Sequence, residues 1–324
     1  MEHQITRRSW LLSQAGLAAA VSWPAAHSWA AAFPTKPVRI IVPQAPGGAA
    51  DQMIRVIAQR LEEIWGQTVL VEYKPGGGSV LATQTVAKSP PDGYTIGSAG
   101  SSLTLNAVLR KSLPYQLHDL QPLARIGYYT TVLLAHPSFP AKDVGEVVAQ
   151  AKKAPLLYGS NGVGSAAHLA GELLKRLAGI EMQHVPYNGA AKMYTDMVGG
   201  RLQLGFAIAS SAEAFVKNGQ LKVIGITAAT RSALYPSWPA ISETLPGYEA
   251  VNWAGLYAPA GLPPAVAEQL SADLLKALRH PEARRTLTAM GIEVAEQGSG
   301  DFSSFIAQDV ERIQPVAKQI GALD

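Results

Sequence analysis

The 324-residue sequence contains no cysteine. Disulfides, thiolate metal sites, iron–sulfur clusters and a cysteine nucleophile are therefore excluded. Charged residues are also scarce, at 16 % against about 25 % in typical globular proteins. Apolar residues, counted with tyrosine and tryptophan, make up 48 %. This is enough to bury a core, so the chain is not globally disordered, and its length predicts about two domains.

Positive charge is not concentrated anywhere along the chain. Lysine and arginine number 27 against 24 aspartates and glutamates, and no run of basic residues is longer than two. A protein that binds a phosphate backbone needs a basic patch or stripe. We therefore expect no nucleic-acid partner.

The N-terminal segment resembles an export signal. The pair Arg7-Arg8 precedes an apolar run over residues 10–23, and no aspartate, glutamate, lysine or arginine follows until Lys36. This pattern is typical of a signal peptide of the twin-arginine or the ordinary secretory type. The run is shorter than the roughly twenty residues of a membrane span, although an uncleaved anchor stays an alternative. Small residues predict cleavage near Ala30 to Ala32 and a mature protein in the periplasm.

Segments with strand and helix patterns alternate through most of the remaining chain. The predicted strands lie at residues 38–42, 68–72, 94–97, 131–135, 156–158, 183–187, 202–208, 221–227 and 251–258. Helices are predicted between most of them, and a helical C-terminal part follows from residue 264. The alternation predicts an α/β fold with largely parallel sheets, in which ligands bind at the carboxyl ends of the strands.

Four glycine- and serine-rich loops join predicted strands to helices, at residues 43–51, 97–102, 158–168 and 186–190. Each is also typical of a plain strand–helix turn. Helix N-termini offer unpaired N–H groups and a positive dipole end to an anion, but a dipole contributes only about 0.3–1 kcal/mol. Micromolar binding requires about 8 kcal/mol, so several donors must converge on one carboxylate. The candidate residues are Ala45, Gly47, Gly48, Asp51, Ser98, Ser101, Ser102, Ser160, Asn161, Gly164, Ser165, His168 and Tyr187.

Motifs of common enzyme classes are absent or misplaced. The sequence has no G-x-S-x-G, H-E-x-x-H or G-x-x-x-x-G-K-[ST]. Residues 162–167 do fit G-x-G-x-x-A. Glu181 follows 19 residues after Gly162, as a ribose-binding acid would. However, it precedes the predicted strand at residues 183–187, whereas a ribose-binding acid belongs at the far end of that strand. We therefore expect no dinucleotide and no other cofactor.

One pair of side chains has metal-ligand spacing. His168 and Glu172 lie at i and i+4, but no third ligand is near them in sequence. We expect no metal there and interpret His168 as a hydrogen-bond donor to the ligand or its loop, with a structural histidine as the alternative. His136 and His184 have no motif around them and are interpreted as structural.

A series of motifs in the same order resembles a known family over essentially the whole mature chain. The resemblance is to the Bug (TctC-like) family, the extracytoplasmic solute receptors of tripartite tricarboxylate transporters. The segments that support it are residues 33–43, Ala45-Pro46-Gly47-Gly48 with Asp51, residues 90–95, Tyr158-Gly159-Ser160 with Gly164-Ser165, His168-Leu169-Ala170, His184-Val185-Pro186-Tyr187 with Gly189, Trp253 with Gly255, and Ala258-Pro259-Ala260-Gly261.

The resemblance implies a type II periplasmic-binding-protein fold, with two α/β domains around an interdomain ligand cleft. Residues 1–32 would be the signal peptide, residues 33–130 and 251–324 the first domain, and residues 131–250 the second. It also implies a monomeric, non-enzymatic receptor that captures a small carboxylate and delivers it to the membrane subunits of a transporter. An exported hydrolase or oxidoreductase that uses the same cleft, and a ligand-sensing module, stay as alternatives.

In the family, backbone amides and ordered waters hold one carboxylate of the ligand. The ligand loops of the family map onto residues 43–51, 98–102 and 160–168 of this chain. The chain departs from the family pattern at Ala207, where many relatives have an acidic residue, and at Gln203, which replaces another common acid. An acid at position 207 could pair with a ligand ammonium, whereas alanine cannot. Ala207 is therefore a further candidate site residue, and it predicts a ligand without an essential amino group, either an aliphatic dicarboxylate or an aromatic carboxylate.

Overall fold

A computed structural model of the chain describes residues 33–187 and 189–320. The predicted signal peptide, residues 1–32, lies outside the described residues. Within the described part, no helix combines the length and the apolar character needed to cross a membrane.

The described residues form eleven strands and ten α-helices. The strands are β1 (Val38–Val42), β2 (Val69–Tyr73), β3 (Thr95–Gly100), β4 (Leu120–Tyr129), β5 (Thr131–Ala135), β6 (Leu156–Ser160), β7 (Met182–Pro186), β8 (Leu204–Ile208), β9 (Lys222–Ile226), β10 (Asn252–Pro259) and β11 (Ile292–Gly298). The helices are α1 (Ala49–Trp65), α2 (Val80–Ala87), α3 (Ser102–Leu109), α4 (Val144–Ala151), α5 (Ala166–Ala178), α6 (Ala190–Val198), α7 (Ala209–Lys217), α8 (Pro264–Arg279), α9 (Pro281–Ala289) and α10 (Ser299–Ile320).

The strands form two mixed sheets. The first has six strands in the order β11-β4-β10-β3-β1-β2, and the second has five in the order β7-β6-β8-β5-β9. In the first sheet β1 is parallel to β2 and β3, and in the second β6 is parallel to β7 and β8. The predicted α/β class, with two sheets and their helices, is confirmed.

The expectation of largely parallel sheets is wrong. Strand β10 runs antiparallel to β3 and β4, β11 is antiparallel to β4, and β5 is antiparallel to β8 and β9. The reason is connectivity, because β5 and β10 are the strands with which the chain enters a sheet after leaving the other one. No helical crossover precedes them in their own sheet, so nothing imposes the parallel direction.

The chain passes between the sheets twice. Only Thr130 separates β4 from β5, and the return runs between β9 and β10. The two passages are hydrogen-bonded side by side: Thr227 N–H donates to Thr131 O at 2.9 Å, and its Oγ1 donates to Ala250 O at 2.7 Å. The exact domain boundaries near residues 130 and 251 stay a prediction.

A hydrophobic cluster joins helices associated with the two sheets. Leu105 of α3 and Ile313 of α10 share it with Leu169 and Leu173 of α5, all buried. The buried ring of Tyr158 on β6 belongs to the same cluster. Helix α5 is thus fixed from both sides, which holds its N-terminus at the end of β6.

Candidate functional site

A cavity of about 320 Å³ lies where residues from elements of the two sheets meet. Its walls include Gly100 at the end of β3, Asn161 directly after β6, and Ala207 and Ile208 at the end of β8. The cavity therefore lies at the carboxyl ends of these strands, as the α/β pattern predicts. The other lining residues are Gln44, Ser101, Ser102, Leu105, Thr131, Gly164, Ser165, Ala166, Ala167, Gly189, Ala190, Phe206, Ser211 and Asn252.

The first residues of four helices line this cavity. Helix α3 contributes its N-terminal residue Ser102, α5 contributes Ala166 and Ala167, α6 contributes Ala190, and α7 contributes Ser211 of its first turn. The first N–H groups of an α-helix have no acceptor within the helix, and the dipole places partial positive charge there. Four positive helix ends therefore share one small cavity.

Over residues 33–187 and 189–320, no charged side chain lines the cavity. Within this part of the chain, no lining carboxylate neutralises the helix ends, and no lining lysine or arginine supplies a point charge. The side-chain polarity comes from hydroxyls and from the amides of Gln44, Asn161 and Asn252, while Leu105 and Phe206 are apolar. A volume of about 320 Å³ lies at the lower end of the roughly 300–1,000 Å³ of small-molecule sites. This combination suits a small anion with an apolar middle.

The cavity loop, residues 161–164, is held by the N-cap of α5. Ser165 has extended backbone torsions (φ −78°, ψ 160°), and its Oγ accepts a hydrogen bond from His168 N–H at 3.1 Å. The same hydroxyl donates to Gly162 O at 2.7 Å. Ser165 is therefore the N-cap of this helix, and its hydroxyl proton is already used inside the loop.

His168 lies behind the cavity loop and does not line the cavity. Its Nδ1 accepts a hydrogen bond from Gly164 N–H at 3.1 Å. The prediction that His168 donates to the loop is wrong, because a backbone N–H can only donate. The residue as a whole is 6 % exposed, and its ring stacks on that of His184 with centroids 3.9 Å apart. Burial lowers the pKa of both histidines, that of His184 to about 4.

A buried polar cluster extends from these rings. Glu172 Oε1 lies 3.9 Å from His168 Nε2 and accepts a hydrogen bond from Tyr158 OH at 2.7 Å. Lys175 Nζ donates to Glu172 Oε2 at 2.9 Å. Burial, followed by the hydrogen bond to Glu172, raises the pKa of Tyr158 well above its usual value. Among the residues that the structure describes, no group of three or more metal-ligating side chains occurs, and this cluster is explained by its internal hydrogen bonds.

Asp51 organises the loop before α1. Its carboxylate accepts hydrogen bonds from Gly47 N–H at 2.8 Å, from Tyr73 OH at 2.6 Å and from Arg55 Nε at 2.8 Å. The Tyr73 and Gly47 bonds are the main reasons why the pKa of Asp51 is lowered. The side chain is buried and shapes the loop from which Gln44 reaches the cavity.

The structure brings some of the predicted site residues together and places the others around them. Those that line the cavity are Ser101, Ser102, Asn161, Gly164, Ser165 and Ala207. Those that do not line it are Ala45, Gly47, Gly48, Asp51, Ser98, Ser160, His168 and Tyr187. Two of the latter support the loops: the Ser160 hydroxyl shares a 2.7 Å hydrogen bond with His184 Nε2, and Tyr187 N–H donates to Ser160 O at 3.0 Å.

Sequence reasoning missed several lining residues, among them Gln44, Asn252 and Ser211. Gln44 falls inside the first predicted loop but is not among its candidate residues. Ser211 follows β8 at the start of α7, which is a further strand–helix junction whose serine pair could have indicated it. Asn252 opens β10 and has no local signal, because its place depends on the passage between the sheets.

Comparison with known proteins gives consistent likenesses. A family profile described as "TctC: Tripartite tricarboxylate transporter family receptor" matches residues 53–322. The chain is 34 % identical over 302 residues to a UPF0065 protein of Bordetella pertussis, and the match covers 92 % of this chain and 93 % of the relative. This likeness extends over nearly the full length of both proteins.

Two solved structures share the fold. One, described as R. palustris Rpa4515 with adipate, has 29 % identity and a TM-score of 0.75, and the match covers 90 % of this chain and 100 % of the other. The second is MatC from Rhodopseudomonas palustris with bound malate, with 27 % identity, a TM-score of 0.71, and coverage of 88 % and 100 %. The type II periplasmic-binding-protein fold and the resemblance found in the sequence are thereby confirmed.

Proposed function

The chain belongs to the TctC family, the receptors of tripartite tricarboxylate transporters, and on this basis we propose that it captures a small aliphatic dicarboxylate and delivers it to the membrane subunits of such a transporter. The protein is a solute-binding receptor and not an enzyme. The proposal concerns the ligand, the cavity that binds it and the transport partner.

The observation that supports the ligand class is the convergence of four helix N-termini on a cavity without lining charges. A hydrogen bond to a charged group contributes about 1.5–3 kcal/mol, and a partly buried helix end adds up to about 2 kcal/mol. Because association itself costs at least about 4 kcal/mol, several such donors from more than one helix end are needed together to reach the roughly 8 kcal/mol of micromolar affinity. A carboxylate therefore needs no arginine in this cavity.

Two carboxylates fit the cavity better than one. Ser102 begins α3, which follows β3 of the first sheet, whereas Ala166 begins α5, which follows β6 of the second sheet. A ligand with an anionic group at each end contacts both, and its apolar middle lies against Leu105 and Phe206. The solved relatives were captured with adipate and malate, both of which have a carboxylate at each end.

The lining residues also make an amino acid an unfavourable ligand. Among the residues that the structure describes, no carboxylate lines the cavity, and Ala207 lies in its wall at the position where many family members have an acid that could pair with an ammonium group. A ligand ammonium would lose its hydration there without gaining a charged partner. Deaminated acids are therefore favoured over aspartate and glutamate.

Isothermal titration calorimetry on the purified mature protein tests this proposal. We expect binding of adipate and malate, stronger than binding of benzoate, and no binding of 1,6-diaminohexane. Glutarate and glutamate form a matched pair, because they differ only in the amino group, and we expect glutarate to bind more tightly. Tighter binding of glutamate, or binding of the diamine, would contradict the proposal.

Family members are periplasmic proteins, and we propose the same location here, reached through a signal peptide over residues 1–32 that is cleaved near Ala30 to Ala32. Intact mass measurement of the protein from a periplasmic fraction would give the cleavage point. Size-exclusion chromatography with light scattering would test the proposed monomer. A mature chain that retains Arg7 and Arg8 would show that the segment is not removed.

A further inference from the structure

A single hydrogen bond connects the cavity loop to a buried histidine. Gly164 lines the cavity and donates its N–H to His168 Nδ1 at 3.1 Å. Gly164 has φ of 73°, in the left-handed region that glycine adopts without strain. The His168 side chain is only 8 % exposed. The histidine end of the bond is thus shielded from water, and the bond holds the loop together with the Ser165 hydroxyl, which donates to Gly162 O.

This bond specifies the protonation state of His168. Because the Gly164 N–H is the donor, Nδ1 must keep its lone pair, and the proton of the neutral ring is on Nε2. Nε2 faces Glu172 Oε1 at 3.9 Å. A doubly protonated ring would place a second N–H against that of Gly164, and the hydrogen bond would be lost.

The groups around the ring come from three elements. The ring of His184 on β7 stacks on it with centroids 3.9 Å apart. On α5, Glu172 faces Nε2, and its carboxylate pairs with Lys175 at 2.9 Å. Tyr158 on β6 donates to the same carboxylate at 2.7 Å. Burial lowers the pKa of His168, the charge of Glu172 opposes this, and the charge of Lys175 adds to it. The ring is therefore neutral at neutral pH and gains its proton in acid.

We propose that neutral His168 is a positioning residue for the cavity loop, and that its protonation in acid releases Gly164 and weakens ligand binding. The inference rests on the proposed function, since it concerns affinity in the same cavity. Protonation has two opposite effects on affinity. Loss of the Gly164 hydrogen bond weakens binding, whereas the positive charge on the ring attracts an anionic ligand. Glu172 at 3.9 Å screens that charge, whereas loss of the Gly164 bond displaces the cavity wall itself. The displacement of the cavity wall therefore outweighs the attraction of the charge, and the affinity for the ligand falls as the pH falls.

Two measurements on the mature protein test this inference. The first is NMR of the ligand-free, ¹⁵N-labelled protein, which follows the Gly164 amide from pH 7.5 to pH 4.5. We expect this amide to shift with the same midpoint as the His168 ring. In His168→Asn, whose side-chain oxygen can accept the same hydrogen bond without titrating, the pH-dependent shift should disappear.

The second measurement is calorimetry with adipate over the same pH range, on wild type, His168→Asn, His168→Leu and the exposed control His118→Asn. All proteins meet the same adipate, so the titration of the ligand cancels when affinities are compared. We expect the wild type to lose at least about threefold in affinity relative to His168→Asn in acid, with a limit of about tenfold per pH unit because one proton is linked. His118→Asn, whose parent side chain is 82 % exposed, should behave as wild type.

The matched histidine variants separate positioning from a general structural role. At pH 7.5 we expect His168→Asn to bind adipate nearly as well as wild type and His168→Leu to bind it at least about tenfold more weakly. The inference would be overturned if the affinity of wild type, divided by that of His168→Asn, stayed constant or rose as the pH falls. It would also be overturned if the Gly164 amide shift did not follow the titration of His168. If wild type binds no adipate at pH 7.5, the proposed function fails, while the Gly164 titration still decides whether His168 holds the loop.

Discussion

At the scale of single residues, the main feature of the cavity is that the described side chains lining it have no charged group. Ala207 is 5 % exposed, lines the cavity and presents only a methyl group at a wall that faces helix N-termini. On the proposed function, the ligand's negative charge is matched by peptide N–H groups together with lining hydroxyls and side-chain amides, and we expect the identity of residue 207 to determine whether a positive group on the ligand is tolerated.

Ala207→Asp should reverse the preference of the cavity. A carboxylate at this wall repels a dicarboxylate, and at the effective dielectric of a protein site such a charge costs more than about 1.4 kcal/mol, which is tenfold in affinity. We expect calorimetry to show at least that loss for glutarate and a smaller loss, or a gain, for glutamate. Ala207→Asn is the matched control, because it adds nearly the same volume without charge. Equal losses in the two variants would mean that size, not charge, is decisive.

Ser165→Ala should act mainly through the helix. The hydroxyl accepts from His168 N–H and donates to Gly162 O, so its removal costs about 1 kcal/mol of unfolding free energy and loosens the cavity loop. Asp143→Ala is a matched N-cap variant at α4, where the side chain accepts from Glu146 N–H at 2.8 Å. Urea unfolding should show similar destabilisation in both variants, and only Ser165→Ala should weaken adipate binding. Unchanged binding in both would remove the loop from the site.

The residues of the site could be predicted from the sequence only in part, for a physical reason. Glycine and serine at strand–helix junctions indicated the right loops, because such junctions need positive φ and capping hydroxyls. The pattern does not distinguish a side chain that lines a cavity from one that holds the loop from behind. Asp51 and His168 have the polar character expected of ligand contacts, yet their hydrogen bonds are made to the loops.

At the scale of elements, the position of α5 depends on its close contact with β6. A Cβ added at Gly171 would overlap the fully buried ring of Tyr158, and even Tyr158 Cδ2 would lie only 2.8 Å away. The absence of a side chain at this position lets the helix approach the strand. The approach holds the helix N-terminus at the cavity.

Gly171→Ala should therefore force α5 away from β6. We expect a loss of about 1–3 kcal/mol in unfolding free energy, typical of overpacking, together with weaker adipate binding. Gly300→Ala is the matched control in α10, where an added Cβ meets nothing within 4 Å. That change should be neutral or slightly stabilising, since alanine favours a helix. A Gly171→Ala protein as stable as Gly300→Ala would show that the contact is not tight.

Elements with a clear hydropathy pattern in the sequence were predictable, whereas elements that depend on pairing with neighbouring strands were not. Strand β5 is buried at every position and is apolar after its first residue, Thr131, so its bounds were predicted correctly. Strand β11 was missed, because it is a half-exposed edge strand with a largely polar sequence. Strand β4 was missed as well, and it contains Pro122 and the buried Arg125. Helix α7 begins without a capping side chain, which removes the usual start signal.

At the scale of the whole molecule, acid should destabilise the fold through His184. Burial first, and then the neighbouring His168, lower its pKa from 6.5 to about 4. Between these values the unfolded chain binds a proton that the folded protein does not, so the free energy of unfolding falls as the pH decreases from about 6.5 to about 4. Stability is fully present above that window.

Urea unfolding at pH 7.5 and pH 4.5 measures this loss. His184→Gln removes the titrating ring while leaving a hydrogen-bonding group near Ser160, and it should show a smaller difference between the two pH values than wild type. His118→Asn, at an exposed position, should leave the difference unchanged. A pH dependence that is the same in all three proteins would assign the acid sensitivity to other groups.

The cavity lies between elements of two sheets, which are joined by two adjacent segments of the chain. The most direct test of carboxylate capture by helix ends is a crystal structure of the mature protein with adipate. We expect the ligand in the cavity, with carboxylate oxygens within hydrogen-bond distance of N–H groups at the starts of α3 and α5, directly or through one water. Adipate bound elsewhere, or carboxylates held by lysine or arginine side chains, would contradict this mechanism.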